Sequence, residues 1–505
     1  MKLLIANRGE IAVRIIRACR EMGIATVAVY SEVDRLAPHV LMADEAWPIG
    51  PAPAAESYLS VERLLGAARS ARADLVHPGY GFLAENAGFA EAVEKAGLTW
   101  VGPPPEAIRR MGSKTESRKI AAAAGVPLVP GLMDPLANLA ELEAFVERHG
   151  LPVLLKAVAG GGGKGMRAVT RPEDLAGAFE RARSEGRAYF GDDQVYVERL
   201  VERPRHVEVQ VVADRWGRAV YVGERECSIQ RRHQKVVEEC PSPVVGPDLR
   251  RRLGEAALAI VHASSYQSVG TVEFLLDPRG EFYFLEMNTR LQVEHPVTEV
   301  VYGVDLVQEQ IRLALGKPLS FRQEDLVPRG HAIECRVYAE DPLRNFAPSP
   351  GLIRLLIRPN GPGIRVDSGV FEGSRVPLEY DPMLAKLVVW APDREAAVVR
   401  LGRALQEYQL RGIATTLTLF RALVEMEAFR TADFHTGFLD ELLASERLEA
   451  LHLRQDPEAE QAALVAAACL ATLAAQALPT DLFAHAASSQ WWAEGLRVSH
   501  GRFPR

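Results

Sequence analysis

The chain has 505 residues, 48% of them hydrophobic and 25% charged, with a net charge of −7 and a pI near 6.0. That length exceeds what one hydrophobic core organises and implies about three or four domains of ordinary soluble, globular composition. The acidic balance offers no global basic field of the kind that nucleic acid or an anionic membrane surface requires, so neither is expected as a partner. Five cysteines (Cys19, Cys227, Cys240, Cys335 and Cys469) lack CxxC spacing. They read as reduced thiols of a cytoplasmic protein, not as a disulfide framework or zinc site. The apolar run 3–6 is too short for a signal peptide, and the alanine-dominated stretch 462–480 falls short of a membrane-spanning helix; a soluble helix is expected there.

In chain order, 3–6 predicts a strand, and Ile11, Ile15, Cys19 and Met22 recur at near-helical spacing before Gly23. Residues 25–30, 74–76 and 98–101 extend an open α/β sheet. The arrangement resembles a Rossmann half, but its first turn carries only Gly9 where a dinucleotide site wants three glycines, which disfavours NAD. Pro103-Pro104-Pro105 marks a boundary, and a helical stretch runs on through Lys119. A small α/β unit over 152–200 follows, then a region over 201–326 that is strand-rich before it turns helical. A further α+β unit spans 331–439, and a charged linker begins after Ser445.

Gly160-Gly161-Gly162-Gly163-Lys164-Gly165-Met166 follows the apolar strand 153–158. Consecutive glycines let backbone N–H groups wrap phosphate oxygens, and the missing GK[ST] ending excludes a P-loop. Lys156 lies inside that strand, where a buried ammonium needs an anion. In Glu286-Met287-Asn288-Thr289-Arg290-Leu291-Gln292-Val293-Glu294-His295, Glu286, Asn288, Arg290, Gln292 and Glu294 alternate with less polar residues. In extended backbone all five would share one face, as a metal-and-anion site. Upstream, 270–276 and 281–286 flank Asp277-Pro278-Arg279-Gly280, a hairpin signal. A tight turn there pairs Glu273 with Phe284 and sets Glu273 on one face with Glu286. Two carboxylates with an amide oxygen suit Mg²⁺. The basic run Gln230-Arg231-Arg232-His233-Gln234-Lys235 lacks the aromatic company of a nucleic-acid patch and reads as an anion-directed loop.

Taken together with 6–12, 77–86 (HPGYGFLAEN), 111–114, 203–208 and Glu334-Cys335-Arg336, these motifs resemble biotin carboxylase over roughly the first 440 residues. The resemblance implies an ATP-grasp fold of α/β class, with an N-terminal Rossmann-like domain and a C-terminal α+β domain. It implies ATP- and bicarbonate-dependent carboxylation of biotin within an acyl-CoA carboxylase, with Mg²⁺ or Mn²⁺ as cofactor. Carried over, Lys114, Lys156, Gly161, Gly162, Gly163, Met166, His206, Gln230 and His233 would contact ATP, with Glu198 and Val201 near adenine. Glu273, Glu286 and Asn288 would hold metal. Arg290, Gln292, Val293 and Lys235 would bind bicarbonate, Glu294 would deprotonate it, and Arg336 and Tyr80 would serve biotin.

The domains so implied are 1–112, 113–200 with the glycine-rich lid, 201–330, 331–445, and an extension 446–505 that resembles the start of the linking domain of long carboxylase α subunits. The implied partners are a biotin carboxyl carrier protein or domain, a separate carboxyltransferase, and a second copy in a homodimer or larger complex. Lys164 stands where arginine is common, Thr416 where asparagine is usual, and no AMKM biotinylation motif is present. Two other readings compete: a carbamoyl-phosphate synthetase module, which also activates bicarbonate, and a non-catalytic scaffold.

Overall fold

The computed structural model describes residues 1–132, 134–158, 166–445 and 465–469. They fall into two units, 1–445 and 446–505. In the second unit the described residues 465–469 are helical; the rest of the helix expected over 462–480 lies outside the described residues, as do Gly161, Gly162 and Gly163. No helix among the described residues is long and apolar enough to cross a membrane.

The first unit opens with five parallel strands: β1 (Lys2–Ile5), β2 (Ala25–Ser31), β3 (Glu45–Gly50), β4 (Leu75–His77) and β5 (Thr99–Trp100), in the order β3-β2-β1-β4-β5. Both faces are covered. Leu3 and Ile5 pack with Ile11, Ile15 and Cys19 on one side, while Leu4 and Val76 pack with Leu64, Ala68 and Phe89 on the other. This is why these strands read as continuous apolar runs. The strand order reverses between β1 and β4, so a crevice opens at their carboxyl ends. There the Asn7 amide donates to the carbonyls of Pro78 and Tyr80, each at 2.7 Å. Gly79 adopts φ +65°, and a Cβ on it would sit 2.9 Å from Asn7 Nδ2, so the turn carrying Tyr80 needs glycine.

A three-stranded antiparallel sheet follows: β6 (Val153–Ala157), β7 (Met166–Val169) and β8 (Val195–Arg199), in the order β7-β6-β8. Helices Leu139–His149 and Leu175–Phe190 share its core through Leu142, Phe145, Ala178 and Phe179.

The largest sheet has eight antiparallel strands. From one edge run β13 (Phe282–Asn288), β12 (Ser268–Leu276), β9 (Arg205–Ala213), β10 (Ala219–Arg231), β11 (Gln234–Cys240) and β14 (His331–Tyr338). The strands Met383–Ala391 and Ile364–Ser368 complete it. The strand-rich part of 331–391 therefore continues the sheet built by 205–288, through the β11–β14 ladder, and does not fold apart from it. That pairing satisfies the open edge of β11 and brings Arg336 beside the charged residues of the earlier strands.

Candidate active site

The hairpin β12–β13 forms, but not in the expected register. Asp277 N–H donates to the Glu281 carbonyl at 2.8 Å, which sets Leu276 opposite Phe282. An extra residue, Leu285, then bulges from β13, and Glu273 faces Glu286 directly instead of Phe284. Glu273 is also opposite Glu208 on β9, and Glu208 is opposite Arg225 on β10. Glu286, Glu273, Glu208 and Arg225 thus form one row across four neighbouring strands. Like charges placed opposite repel, so this row exists only because cations meet it. Arg225, fully buried, contacts Glu208 Oε1 at 2.5 Å, Gln210 Oε1 at 2.7 Å and the Thr298 hydroxyl at 2.9 Å. Lys235 Nζ contacts Glu208, and donates to Glu273 Oε1 at 2.7 Å and Glu294 Oε1 at 2.8 Å.

Extended backbone ends at Asn288, so the expected single strand face does not reach Glu294. Glu294 is the N-cap of the helix His295–Tyr302, and the non-extended segment 289–293 curls Arg290 and Gln292 back towards Asn288 and Glu273 and sets Glu294 against Lys235. Gln292 Nε2 donates to Glu273 Oε1 at 3.1 Å, and Arg290 Nη2 to Asn288 Oδ1 at 2.9 Å. Glu85, from the HPGYGFLAEN stretch, accepts from Arg290 Nε at 2.8 Å and from the Thr289 N–H at 3.0 Å, tying the turn to the first sheet. On the far side Arg336 donates through Nη2 to Glu294 Oε2 at 2.9 Å and through Nε to Glu238 Oε1 at 2.6 Å.

Lys235, Glu273, Glu286, Asn288, Arg290, Gln292 and Arg336 line a cavity of about 540 Å³ that also includes Tyr80, His206, His233 and Val293. Glu294, with no exposed surface, sits behind Lys235 and Arg336. Its electrostatics follow from burial and pairing. Burial alone would raise the Glu294 carboxyl, but Lys235, Arg336 and Arg225 outweigh it and hold the group well below the usual range, ionised. Burial likewise opposes Glu273, and Lys235 and His206 bring it well below the usual range. Glu286 moves the other way: burial and the facing Glu273 raise it, and Lys114 opposes them only in part. Glu238 is pushed up to about 7 by burial despite Arg336.

Glu286 makes no side-chain hydrogen bond or ion pair among the described residues, although Glu273 stands opposite it. A carboxylate left unpaired beside another, with the Asn288 amide 2.9 Å from Glu273, is a donor set that fits a hard divalent cation. His206, Glu208 and Glu273 also converge. In that trio, however, Glu208 is already engaged by both Arg225 and Lys235.

Of the nucleotide candidates, Lys156 is buried in β6, as the cost of a lone interior ammonium demands, and its partner is Glu198 Oε2 at 2.6 Å. Arg118 holds the other Glu198 oxygen. Met166 stands opposite Lys156 at the start of β7. Lys114 is the first residue of the helix Lys114–Ala123, and burial lowers its ammonium with Glu286 opposing. The Gln230 amide lies 2.7 Å from His206 Nδ1, and His206 Nε2 lies 3.1 Å from Glu273 Oε2. Val201 is not brought to this cavity: it lines a separate one of about 270 Å³ with Pro130, Leu200 and Tyr283.

Sequence reasoning missed Glu85, Glu208, Arg225 and Glu238. The signal for Glu208 is present, since His206, Glu208 and Gln210 alternate along β9; Arg225 lies in β10 among Glu224 and Glu226, where alternation is obscured. Thr416, given no role from sequence, accepts from the Tyr338 N–H and donates to the Arg336 carbonyl, both at 2.9 Å, and so secures the strand that carries Arg336.

Three family models match this chain: the biotin carboxylase N-terminal domain over residues 1–108, the carbamoyl-phosphate synthase L chain ATP-binding domain over 113–322, and the biotin carboxylase C-terminal domain over 334–441. A pyruvate carboxylase subunit from Methanothermobacter thermautotrophicus is 51% identical over 440 residues, which cover 87% of this chain and 89% of that protein. Biotin carboxylase of Haemophilus influenzae is 50% identical over 443 residues, covering 88% and 98%. Among solved structures, the biotin carboxylase domain dimer of Hydrogenobacter thermophilus 2-oxoglutarate carboxylase, in complex with MgADP, ADP and bicarbonate, superposes with a TM-score of 0.83 at 46% identity. It covers 87% of this chain and 97% of that one. The middle match alone would suit several bicarbonate-activating ligases, but the domains on both sides of it and identity near one half over most of the length single out one: the chain belongs to the biotin carboxylase family.

Proposed function

We propose that this chain carboxylates biotin at the expense of ATP and bicarbonate. The observation that carries the reading is Glu294, buried and held ionised by Lys235 and Arg336, the two cations that stand between it and the cavity they line. Bicarbonate is a weak nucleophile until it loses its proton, and a carboxylate within reach supplies the base. Two contacting cations make Glu294 a poor base while the cavity holds no anion. A bicarbonate that draws Lys235 from Glu294 to itself, with Arg290 as its second cation, restores the basicity when it is needed. Attack on the γ-phosphorus then gives carboxyphosphate and ADP. Breakdown of carboxyphosphate gives CO₂ and phosphate, and the phosphate takes the proton of the biotin ureido N–H. The resulting anion, whose charge Arg336 offsets with Tyr80 beside the pocket, attacks CO₂ to form carboxybiotin.

In this reading Lys114, Lys156, His206, Gln230 and His233 hold ATP with the glycines Gly161, Gly162 and Gly163, Met166 and Glu198. Val201, set apart from the cavity, belongs to the adenine end. Glu273, Glu286 and Asn288 would hold Mg²⁺ or Mn²⁺, which neutralises phosphate charge when bound. Gln292 and Val293 complete the bicarbonate subsite. The functional divisions follow the motifs: 1–112, 113–200, 201–330 and 331–445, with 446–505 as an extension resembling the start of an α-subunit linking domain. The chain acts in the cytoplasm as a homodimer or larger assembly, with biotin delivered on a carrier and passed to a carboxyltransferase. Two of the three similar proteins are named for pyruvate and 2-oxoglutarate carboxylases, so the resemblance to acyl-CoA carboxylases widens to include carboxylases of oxo acids.

The test is ATP hydrolysis with Mg²⁺, with and without bicarbonate and free biotin, for wild type and Glu294→Gln. Bicarbonate-dependent hydrolysis that biotin stimulates, and that the variant lacks, is the expected result. Bicarbonate-dependent hydrolysis indifferent to biotin would move the assignment to a carbamoyl-phosphate type of ligase, and no hydrolysis at all to a scaffold.

A further inference from the structure

Lys386 has no part in the roles assigned above, yet it is a lysine with no exposed surface, set in the middle of the strand Met383–Ala391. It stands directly opposite Arg336 on one neighbouring strand and Asp367 on the other. An interior ammonium is costly and is expected to sit on its carboxylates. Its shortest contact goes elsewhere: Nζ donates to the Val293 carbonyl at 2.9 Å, while Glu10 Oε2 lies 3.3 Å away and forms no hydrogen bond. Glu334, on the same strand face as Arg336, keeps both carboxyl oxygens without hydrogen bonds. The Tyr80 ring centre is 5.6 Å from Nζ.

The Val293 carbonyl is half of the peptide plane that joins Val293 to Glu294. Residues 289–294 lie between β13 and the helix His295–Tyr302, outside any ladder that would orient their peptides. Val293 has an apolar side chain, so its own means of meeting an anion is the backbone N–H, which makes no hydrogen bond among the described residues. With Glu294 held as the helix N-cap, fixing the Val293–Glu294 plane fixes ψ of Val293. That rotation decides whether the N–H and the Glu294 carboxylate point at one place.

We propose that Lys386 is a positioning residue of the bicarbonate subsite, which aims the Val293 N–H and the Glu294 carboxylate at the same anion by holding the peptide between them. The proposal rests on the bicarbonate reading of the cavity given under Proposed function. It accounts for a feature that burial alone does not: the lysine spends its shortest contact on a carbonyl while two buried carboxylates nearby go without hydrogen bonds.

The experiment is bicarbonate-dependent ATP hydrolysis by the full chain, with the KM of each substrate measured separately. Lys386→Met keeps most of the stem volume and removes the donor. It should raise the KM for bicarbonate about tenfold or more and leave the KM for ATP within about twofold. Lys386→Gln, whose amide is too short to reach Val293, serves if the first variant does not fold and should show the same split. Glu10→Gln, which leaves the lysine in place, should not change the KM for bicarbonate. A bicarbonate KM that stays at the wild-type value, or that rises in step with the ATP KM, overturns the proposal, because a merely structural lysine would not separate the two substrates. Wild-type hydrolysis that ignores bicarbonate would instead defeat the reading of the cavity itself, and is told apart by needing no variant.

Discussion

In the five-stranded parallel sheet, successive residues Leu3, Leu4 and Ile5 of β1 are all buried in apolar cores. In the eight-stranded antiparallel sheet, Glu286, Glu273, Glu208 and Arg225 cross four strands at mid-length, three of them buried. The parallel sheet has packed elements on both faces, so it tolerates only apolar side chains along its strands and sends its polar groups to the strand ends, where Asn7, Arg8 and Tyr80 reach the cavity. The antiparallel sheet turns part of one face to the cavity and carries charge along its strands, with Arg225 and Lys235 meeting Glu208 and Glu273 and only Glu286 of the row left without a partner among the described residues. One sheet is held by dispersion and water exclusion, the other in part by a network in which every member depends on its neighbours.

The contrast is sharpest at Glu294. Replacing it by Gln removes no packing volume, so a fall of about 100-fold or more in bicarbonate-dependent hydrolysis, with little change in the ATP KM, is expected if the charge is used for chemistry. Retained activity would reduce the charged row to structure. Arg225→Met probes the network itself. It leaves Glu208 to Lys235 alone in a dry interior, and a loss of about 3–5 kcal/mol in denaturant unfolding is expected. A loss below about 1 kcal/mol would show that the row tolerates an unpaired carboxylate and that the two sheets differ less than their composition suggests. Arg336→Ala should cut biotin carboxylation by about 100-fold while the KM for ATP holds. Equal effects on both would remove Arg336 from the biotin step.

The smallest effect is expected where the two sheets meet. Glu10, at the start of the helix that follows β1, has neither carboxyl oxygen hydrogen-bonded, and burial, opposed by Lys386, raises it from an ordinary value of 4.5 to about 7. Between those values the folded chain binds more protons here than the unfolded chain does. Stability from this group is therefore lost as pH rises from about 4.5 to about 7. Glu10→Gln cannot titrate, so its melting temperature should gain on that of the wild type across this window. A constant difference between the two would contradict the sign.

Four of the five parallel strands were legible because apolar runs and near-helical spacing are local, and Leu3, Leu4 and Ile5 of β1 all report an apolar environment; β3, with Glu45, Pro48 and mostly half-buried positions, carries no such run. The charged row was legible only in part. Alternation exposed Glu286, Asn288, Arg290, Gln292 and Glu294 as a set. It misplaced them on one strand face, since a helix N-cap and a turn, not extended backbone, bring the last three round. Glu273 was paired with Phe284 because neither the longer turn closed by Asp277 and Glu281 nor the bulge at Leu285 has a local signature. Arg225 and Glu238 sit among other charged residues, where nothing in the spacing distinguishes an interior ion from a solvated one.

What this sequence determined by itself was the family, through motifs long enough and ordered enough to exclude chance, and the kinds of side chain that the cavity would need. Only the tertiary structure decided which carboxylate faces which, that β14 and the strands after it extend the sheet of 205–288, and that Lys386 contacts Val293 93 residues away. The physical reason is range. Hydrophobic periodicity and turn chemistry act over a few residues and survive in the linear text. The pairing of buried charges depends on registers and bulges that are fixed only when distant strands compete for the same hydrogen bonds.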